Sequence, residues 1–355
     1  MKMKSIYIVS YSEFSGKTAF ALGLALCLKD EGISVGYFKP ISVGTEIRPG
    51  RFIDQDVALM RRVLGLKESM DEISPPIDVR IGTYSFGKKF LEDPDYYRNR
   101  IIDAYNKIKE KYDFIIIEGR HRIQSLFTYR LDSVTLSKAL NSKILLVSNG
   151  IIDDIMLQKT LIEGMNAKLL GTIFNNISPR MVERIKGELI PLMDRFNLKF
   201  YGYIPENIEL NSPTAEEYHK ALGGQILVGK EHIDRLVESA HIGAMRTESA
   251  LKILKRYRNY ALITGGDRTD LIYPALETDV ALLILTGNLY PDIKVLIRAE
   301  EKKVPVLLVN HETSVTYNIC LTIKARISPR QKEKIKLIKN SVKENIRWKE
   351  IFKDA

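Results

Sequence analysis

Short apolar runs alternate with helix-period segments along the first part of the chain: "SIYIVS" from Ser5, "SVGYFKP" from Ser34, "YDFIIIEG" from Tyr112, "KILLVSNG" from Lys143, "AKLLGTIFNN" from Ala167 and "KFYGYIP" from Lys199. Strands of that kind, each followed by an amphipathic helix, predict a parallel sheet with helices on both faces. After Pro205 the pattern breaks. "PENIELNSPT" is polar and turn-rich, and a new helix is expected from Thr214 or Ala215. A second α/β series then runs through "GQILVG", "NYALITGGD", "DVALLILTG" and "VPVLLVN". The predicted division is residues 1–205, residues 206–325, and a C-terminal helix over 326–355. In that helix Ile335, Ile338, Val342 and Ile346 recur at helical spacing, and it is expected to dock on the second domain.

Composition narrows the class. With 45% hydrophobic and 28% charged residues in 355, the chain reads as globular, with enough length for two cores. No apolar run nears the roughly 20 residues of a membrane span, and the run after Met1-Lys2-Met3-Lys4 is too short for a signal peptide, so a cytoplasmic protein without a membrane partner is expected. Cys27 and Cys320 lie in separate apolar stretches and read as buried reduced thiols. The formal charge of +10 is concentrated: residues 324–355 hold 11 Lys or Arg against 4 Asp or Glu. Such charges read as the solvent side of a docking helix, and no aromatic-interleaved basic motif points to nucleic acid.

Candidate chemistry starts at "SYSEFSGKT", Ser10 to Thr18, which joins the first apolar run to a helical one. A strand delivering a loop into a helix N-terminus presents backbone N–H groups to an anion. Ser15 and Gly16 would then cradle phosphate, Lys17 would reach the β- and γ-phosphates, and the Thr18 hydroxyl would ligate Mg²⁺. Magnesium needs one or two further oxygen ligands. Glu118 ends the most apolar strand of the first half, where a buried carboxylate requires a cation. Asp56 is the second candidate, with Asp54 beside it as a possible helix cap. The histidines at 219, 232, 241 and 311 show no metal-ligand spacing.

The segments "SGKT", "GYFKPIS", "DQDVAL", "IIIEG", "FNN" and "GYIPE" follow the order and approximate spacing of the dethiobiotin synthetases, which the first 205 or so residues resemble. In that family the loop is one residue longer than the usual phosphate loop, which makes Ser10 the counterpart of the leading glycine. The resemblance implies an α/β fold with a parallel-sheet P-loop NTPase domain. It implies ATP and Mg²⁺ as cofactors, with Lys17, Thr18, Asp56 and Glu118 as phosphate and metal ligands. Lys39 would be a second active-site lysine, Ser42 a substrate-loop serine and Asn175 the adenine-contacting asparagine. The base would lie between Asn175 and the loop at Pro205.

Residues beyond 205 resemble the DRTGG domain, a smaller α/β domain, through "GGDRTDL", "SPTAEEYHKALGGQILVG" and "HIGAMRTESALKIL". The pairing is similar to the N-terminal regulatory part of long phosphotransacetylases. Their acetyl-transferring domain is not found in this sequence, so that activity is not expected. One departure bears on chemistry: Glu118-Gly119 is followed by Arg120-His121-Arg122, where the synthetase pattern has small glycine-rich residues. Arg120 is therefore read as part of a cationic wall that either contacts a more anionic second ligand or serves a site that simply holds nucleotide, and His121 either as an acid–base group or as an ordinary loop histidine. At "GGDRTDL", Gly265, Gly266, Asp267 and Arg268 either hold a small anionic effector at a helix starting near Asp267 or Arg268, or form a tight strand-to-helix turn in which Asp267 caps the helix and Arg268 pairs with an acid. The expected function is a regulatory, slowly hydrolysing Mg-ATP-binding protein, with an ATP-dependent ligase acting on a carboxylate or carbamate as the alternative. A homodimer is expected from the same resemblance.

Overall fold

In a computed structural model of the protein the six apolar runs of the first part become β1 (Lys4–Ser10), β2 (Val35–Phe38), β5 (Phe114–Glu118), β6 (Lys143–Ser148), β7 (Leu169–Ile177) and β8 (Phe200–Pro205), and two short strands outside those runs, β3 (Glu46–Arg48) and β4 (Arg51–Ile53), lie between β2 and β5 in the chain. The structure describes residues 3–13, 15–42, 46–48, 51–77, 84–120 and 122–355. Six of these strands form a sheet in the order β2-β5-β1-β6-β7-β8, with every pairing parallel; β3 and β4 form a separate antiparallel ribbon. The middle strands are buried on both faces: Ile6, Ile8, Ile116 and Ile117 have no exposed surface. That is the condition under which a strand reads as a continuous apolar run.

The described residues divide into two compact units, Met1–Glu206 with Ile327–Ala355, and Asn207–Arg326. The expected docking of the C-terminal helix on the second domain is thereby corrected. Helices Lys332–Asn345 and Trp348–Asp354 pack within the first unit, where Ile338, Val342, Ile346 and Ile351 are buried. The partner of Lys332–Asn345 is α1 (Lys17–Asp30), which offers a glycine at the contact: a Cβ on Gly23 would stand 2.5 Å from Val342 Cγ2; Trp348–Asp354 packs on β8. Lys339 pairs with Asp30 at 2.6 Å and Lys349 with Glu31 at 2.8 Å. Lys4 Nζ donates to the carbonyls of Phe352 and Lys353, at the negative end of the last helix.

The second unit holds β9 (Gln225–Val228), β10 (Ser239–Ile242), β11 (Tyr260–Gly265), β12 (Val280–Thr286) and β13 (Val306–Leu308), in the order β10-β11-β12-β13-β9. All pairings are parallel except β13 with β9. Its first long helix, Ala215–Leu222, starts in a capping box between Thr214 and Glu217. The turn-rich stretch before it contains a short helix, Ile208–Asn211. Cys27 and Cys320 are free and buried.

Candidate functional site

Parallel strands deliver three loops to one edge of the first sheet. β1 and β5 are paired so that Ile8 stands opposite Glu118, and β2 and β5 so that Phe38 stands opposite Ile117. The residues that follow β1 and β2, and the last residue of β5, are thus neighbours at the carboxyl edge, where open α/β sheets gather ligands.

Gly16 caps α1 in a left-handed conformation, φ 83°, which an L side chain adopts only with strain. A Cβ there would also meet Asn175 Nδ2 at 2.0 Å. Asn175, near the end of β7, donates that Nδ2–H to Ser15 O at 2.9 Å. The asparagine is therefore a clamp on the loop itself. Ser15 Oγ is buried with no hydrogen-bond partner among the described residues.

Lys17 is 8% exposed and donates to Ser10 Oγ at 2.7 Å. Burial lowers its pKa to about 8, against the pull of Glu118. Thr18 Oγ1 donates to Glu118 Oε1 at 2.7 Å, joining the first turn of α1 to the end of β5. Glu118 is buried, and its pKa is raised chiefly by that burial, with Asp56 adding to the rise and Lys39, Thr18 and Lys17 opposing it. Its other oxygen accepts from Tyr37 at 2.9 Å. Tyr37 was not singled out from the sequence, because in "SVGYFKP" it reads as one more apolar strand residue.

Lys39 reaches two carboxylates, Asp54 at 3.1 Å and Asp56 at 2.5 Å. Burial works against its charge, yet Asp56, Glu118 and Asp54 together hold its pKa above the ordinary lysine value. Asp54 caps α2 (Gln55–Leu64) by accepting from Asp56 N and Val57 N, and also takes the Ser42 hydroxyl at 3.0 Å. Asp56 is the more exposed of the two acids, with 41% of its side chain accessible against 5% for Asp54. Arg120 follows Glu118 and Gly119 and is partly buried, which lowers its pKa, with Glu13 opposing. Pro205 ends β8, opposite Ile177 of β7. His121 lies outside the described residues.

In the second unit the helix after "GGDR" spans Thr269–Ala275, later than the sequence suggests. Arg268 pairs with Asp270 at 3.0 Å and donates to Gly243 O and Met245 O. Gly266 lies so close to Leu289 O that a Cβ would meet it at 1.8 Å. The motif therefore ties the β10 and β12 loops to β11. Asp267 makes no side-chain cap of the helix.

A strand-loop-helix with a buried lysine, a helix-start threonine and a strand-end acid defines a P-loop domain. The family model described as an AAA domain matches residues 4–214, and that of the DRTGG domain residues 217–322. The chain belongs to that AAA domain family, in the dethiobiotin synthetase-like form that precedes a DRTGG domain.

Over 360 aligned residues the chain is 25% identical to the phosphate acetyltransferase of Nitratidesulfovibrio vulgaris, across 93% of this chain and 49% of that one. It spans about half the length of the phosphate acetyltransferases that it matches first. The ATP-dependent dethiobiotin synthetase BioD of Clostridium kluyveri is 30% identical over 181 residues, 48% of this chain and 74% of that one. Among solved structures, the CBS and DRTGG domains of the Clostridium perfringens pyrophosphatase, complexed with diadenosine tetraphosphate, match at 15% identity and a TM-score of 0.29, over 42% of this chain and 72% of that one. No helix among the described residues is long and apolar enough to cross a membrane.

Proposed function

We propose that the first unit binds Mg-ATP and that the protein is regulatory, a cytoplasmic homodimer that hydrolyses ATP slowly and senses a small anionic ligand through its DRTGG domain. The observation that carries the reading is the convergence of the Gly16 cap, buried Lys17 and the Thr18–Glu118 hydrogen bond at one strand edge. The residues fit the nucleotide: Ser15 Oγ, buried and without a partner among the described residues, is a donor that a phosphate oxygen would satisfy. Thr18, Asp56 and Glu118 offer the all-oxygen donor set that magnesium takes, with water and phosphate completing it. Bound there, the metal would neutralise charge on the phosphates. Lys17 supplies the fixed charge for the β- and γ-phosphates, and Asn175 and Pro205 flank the base.

Lys39 favours a second reading, an ATP-dependent ligase that phosphorylates a carboxylate or carbamate. A buried ammonium beside the phosphate loop can stabilise a transferred phosphoryl group, with Ser42 and Arg120 contacting the substrate. An effector at Gly265, Gly266, Asp267 and Arg268 would have to compete with Asp270 for the guanidinium. Titration with a fluorescent ATP analogue tests the common core. Lys17→Ala should weaken binding by about 1.5–3 kcal/mol, the worth of a hydrogen bond to a charged group; unchanged affinity removes the assignment. ADP release stimulated by one metabolite selects the ligase, and binding without stimulated turnover selects the regulator.

A further inference from the structure

We infer that Tyr37 is a positioning residue of the metal site, orienting the Glu118 carboxylate through its phenolic hydroxyl; the inference rests on the Mg-ATP reading. Tyr37 stands on β2 opposite Ile116 of β5, so its ring lies on the same sheet face as Glu118, two residues further along β5. The ring is 1% exposed, and its O–H donates to Glu118 Oε2 at 2.9 Å. Thr18 holds the other oxygen at 2.7 Å. With one donor on each oxygen, the plane of the carboxylate is fixed.

The two donors differ in what they can do. Thr18 lies in the first turn of α1 and is itself a candidate metal ligand, so its hydroxyl oxygen is engaged when magnesium is present. Tyr37 sits within the sheet and has no such second task. A carboxylate accepts about four hydrogen bonds or metal contacts, so both oxygens keep a lone pair for the metal or its water. This arrangement of a ligand held by a second hydrogen-bonded group is the one that tunes metal affinity in oxygen-ligand sites.

The test is Tyr37→Phe, which removes only the hydroxyl, read by fluorescent ATP analogue binding at increasing Mg²⁺ and separately in EDTA. The Mg²⁺ concentration for half-maximal enhancement should rise about tenfold, as for loss of one hydrogen bond to a charged group, while binding in EDTA stays as in wild type. Glu118→Gln should abolish the Mg²⁺ dependence, and adding Tyr37→Phe to it should change nothing further. The double variant also removes the buried charge that Tyr37→Phe leaves short of a partner, so it covers the case in which the single variant folds poorly. An unchanged Mg²⁺ requirement in Tyr37→Phe overturns the inference alone. So does an equal loss of binding in EDTA, or a further loss in the double variant. Binding by wild type without any Mg²⁺ dependence overturns it together with the metal reading.

Discussion

Asn175 Nδ2 occupies the space that a side chain on Gly16 would need, 2.0 Å from the position of a Cβ, while donating to the neighbouring Ser15 carbonyl at 2.9 Å. The loop is thus shaped from two sides, by a left-handed glycine within it and by an amide from β7 pressed against it. Gly16→Ala should meet both constraints. The left-handed backbone costs about 1–2 kcal/mol for an L residue, and Asn175 must also swing away. Urea denaturation should show a loss of at least that size, together with weakened nucleotide binding. Near-wild-type stability would mean that the loop relaxes without the asparagine.

Lys17 gives a pH dependence of defined sign. In the free protein burial brings its pKa down to about 8. Bound triphosphate favours the ammonium, so nucleotide affinity should be flat below about pH 8 and fall above it, approaching tenfold per pH unit. Folding has the opposite slope for this group. Between about 8 and the ordinary value of 10.5 the unfolded chain holds a proton that the folded one has lost, so this lysine's contribution to stability rises with pH across that window. Binding titrations from pH 7 to 10, and urea midpoints of wild type against Lys17→Met, check the two signs.

Lys39 neutralises a carboxylate that the fold cannot expose. Asp54 is 5% exposed and stays in place as the cap of α2. Lys39→Met should therefore destabilise by about 3–5 kcal/mol, the cost of leaving one member of a buried pair uncompensated. The Asp56 contact adds little, because that side chain is 41% accessible. Asn caps helices about as well as Asp, so Lys39→Met/Asp54→Asn should recover much of the loss. Additive costs in urea unfolding would show that the pair is not coupled.

What the sequence discloses here depends on how local the physics is. β1, β5, β6 and β12 were legible because buried parallel strands read as unbroken apolar runs. Glu118 was legible because an acid closing such a run is costly, and Asp54 because capping is decided within three residues. β10 was not picked out: its four residues are only half-buried at a sheet edge, which leaves little apolar signal. The C-terminal helix showed its apolar stripe but not its partner, since nothing local says that Gly23, some three hundred positions earlier, leaves room for Val342. Tyr37 and Arg268 share that limit. Each makes its decisive contact, with Glu118 and with the Gly243 carbonyl, across the fold rather than along the chain.

Arg268 should act on its own unit before any ligand is added. Its guanidinium joins Asp270 to the carbonyls of Gly243 and Met245, and Thr247 also donates to Asp270. Arg268→Ala should raise amide hydrogen exchange over residues 243–254 while leaving β11 and β12 protected, since those strands are buried independently of it. Unchanged exchange in the ligand-free protein would free the arginine for an effector role.

The C-terminal helices should prove to be part of the P-loop unit in solution. Ile338 and Val342 are 3% and 0% exposed, and the groove that they fill exists because Gly23 has no side chain. Ile338→Ala should cost about 2–5 kcal/mol, as for other truncated core aliphatics. Residues 1–206 alone should melt well below the full chain and bind nucleotide poorly, because the face of α1 that carries Gly23 and Cys27 would be open to water. A peptide of residues 327–355 added in trans should restore both properties. α1 starts at Lys17, so stiffening this helix against its partner also steadies the residues that meet phosphate. If the isolated fragment matches the full chain in melting temperature and analogue affinity, the C-terminal helices only cover α1 and are not needed to hold it.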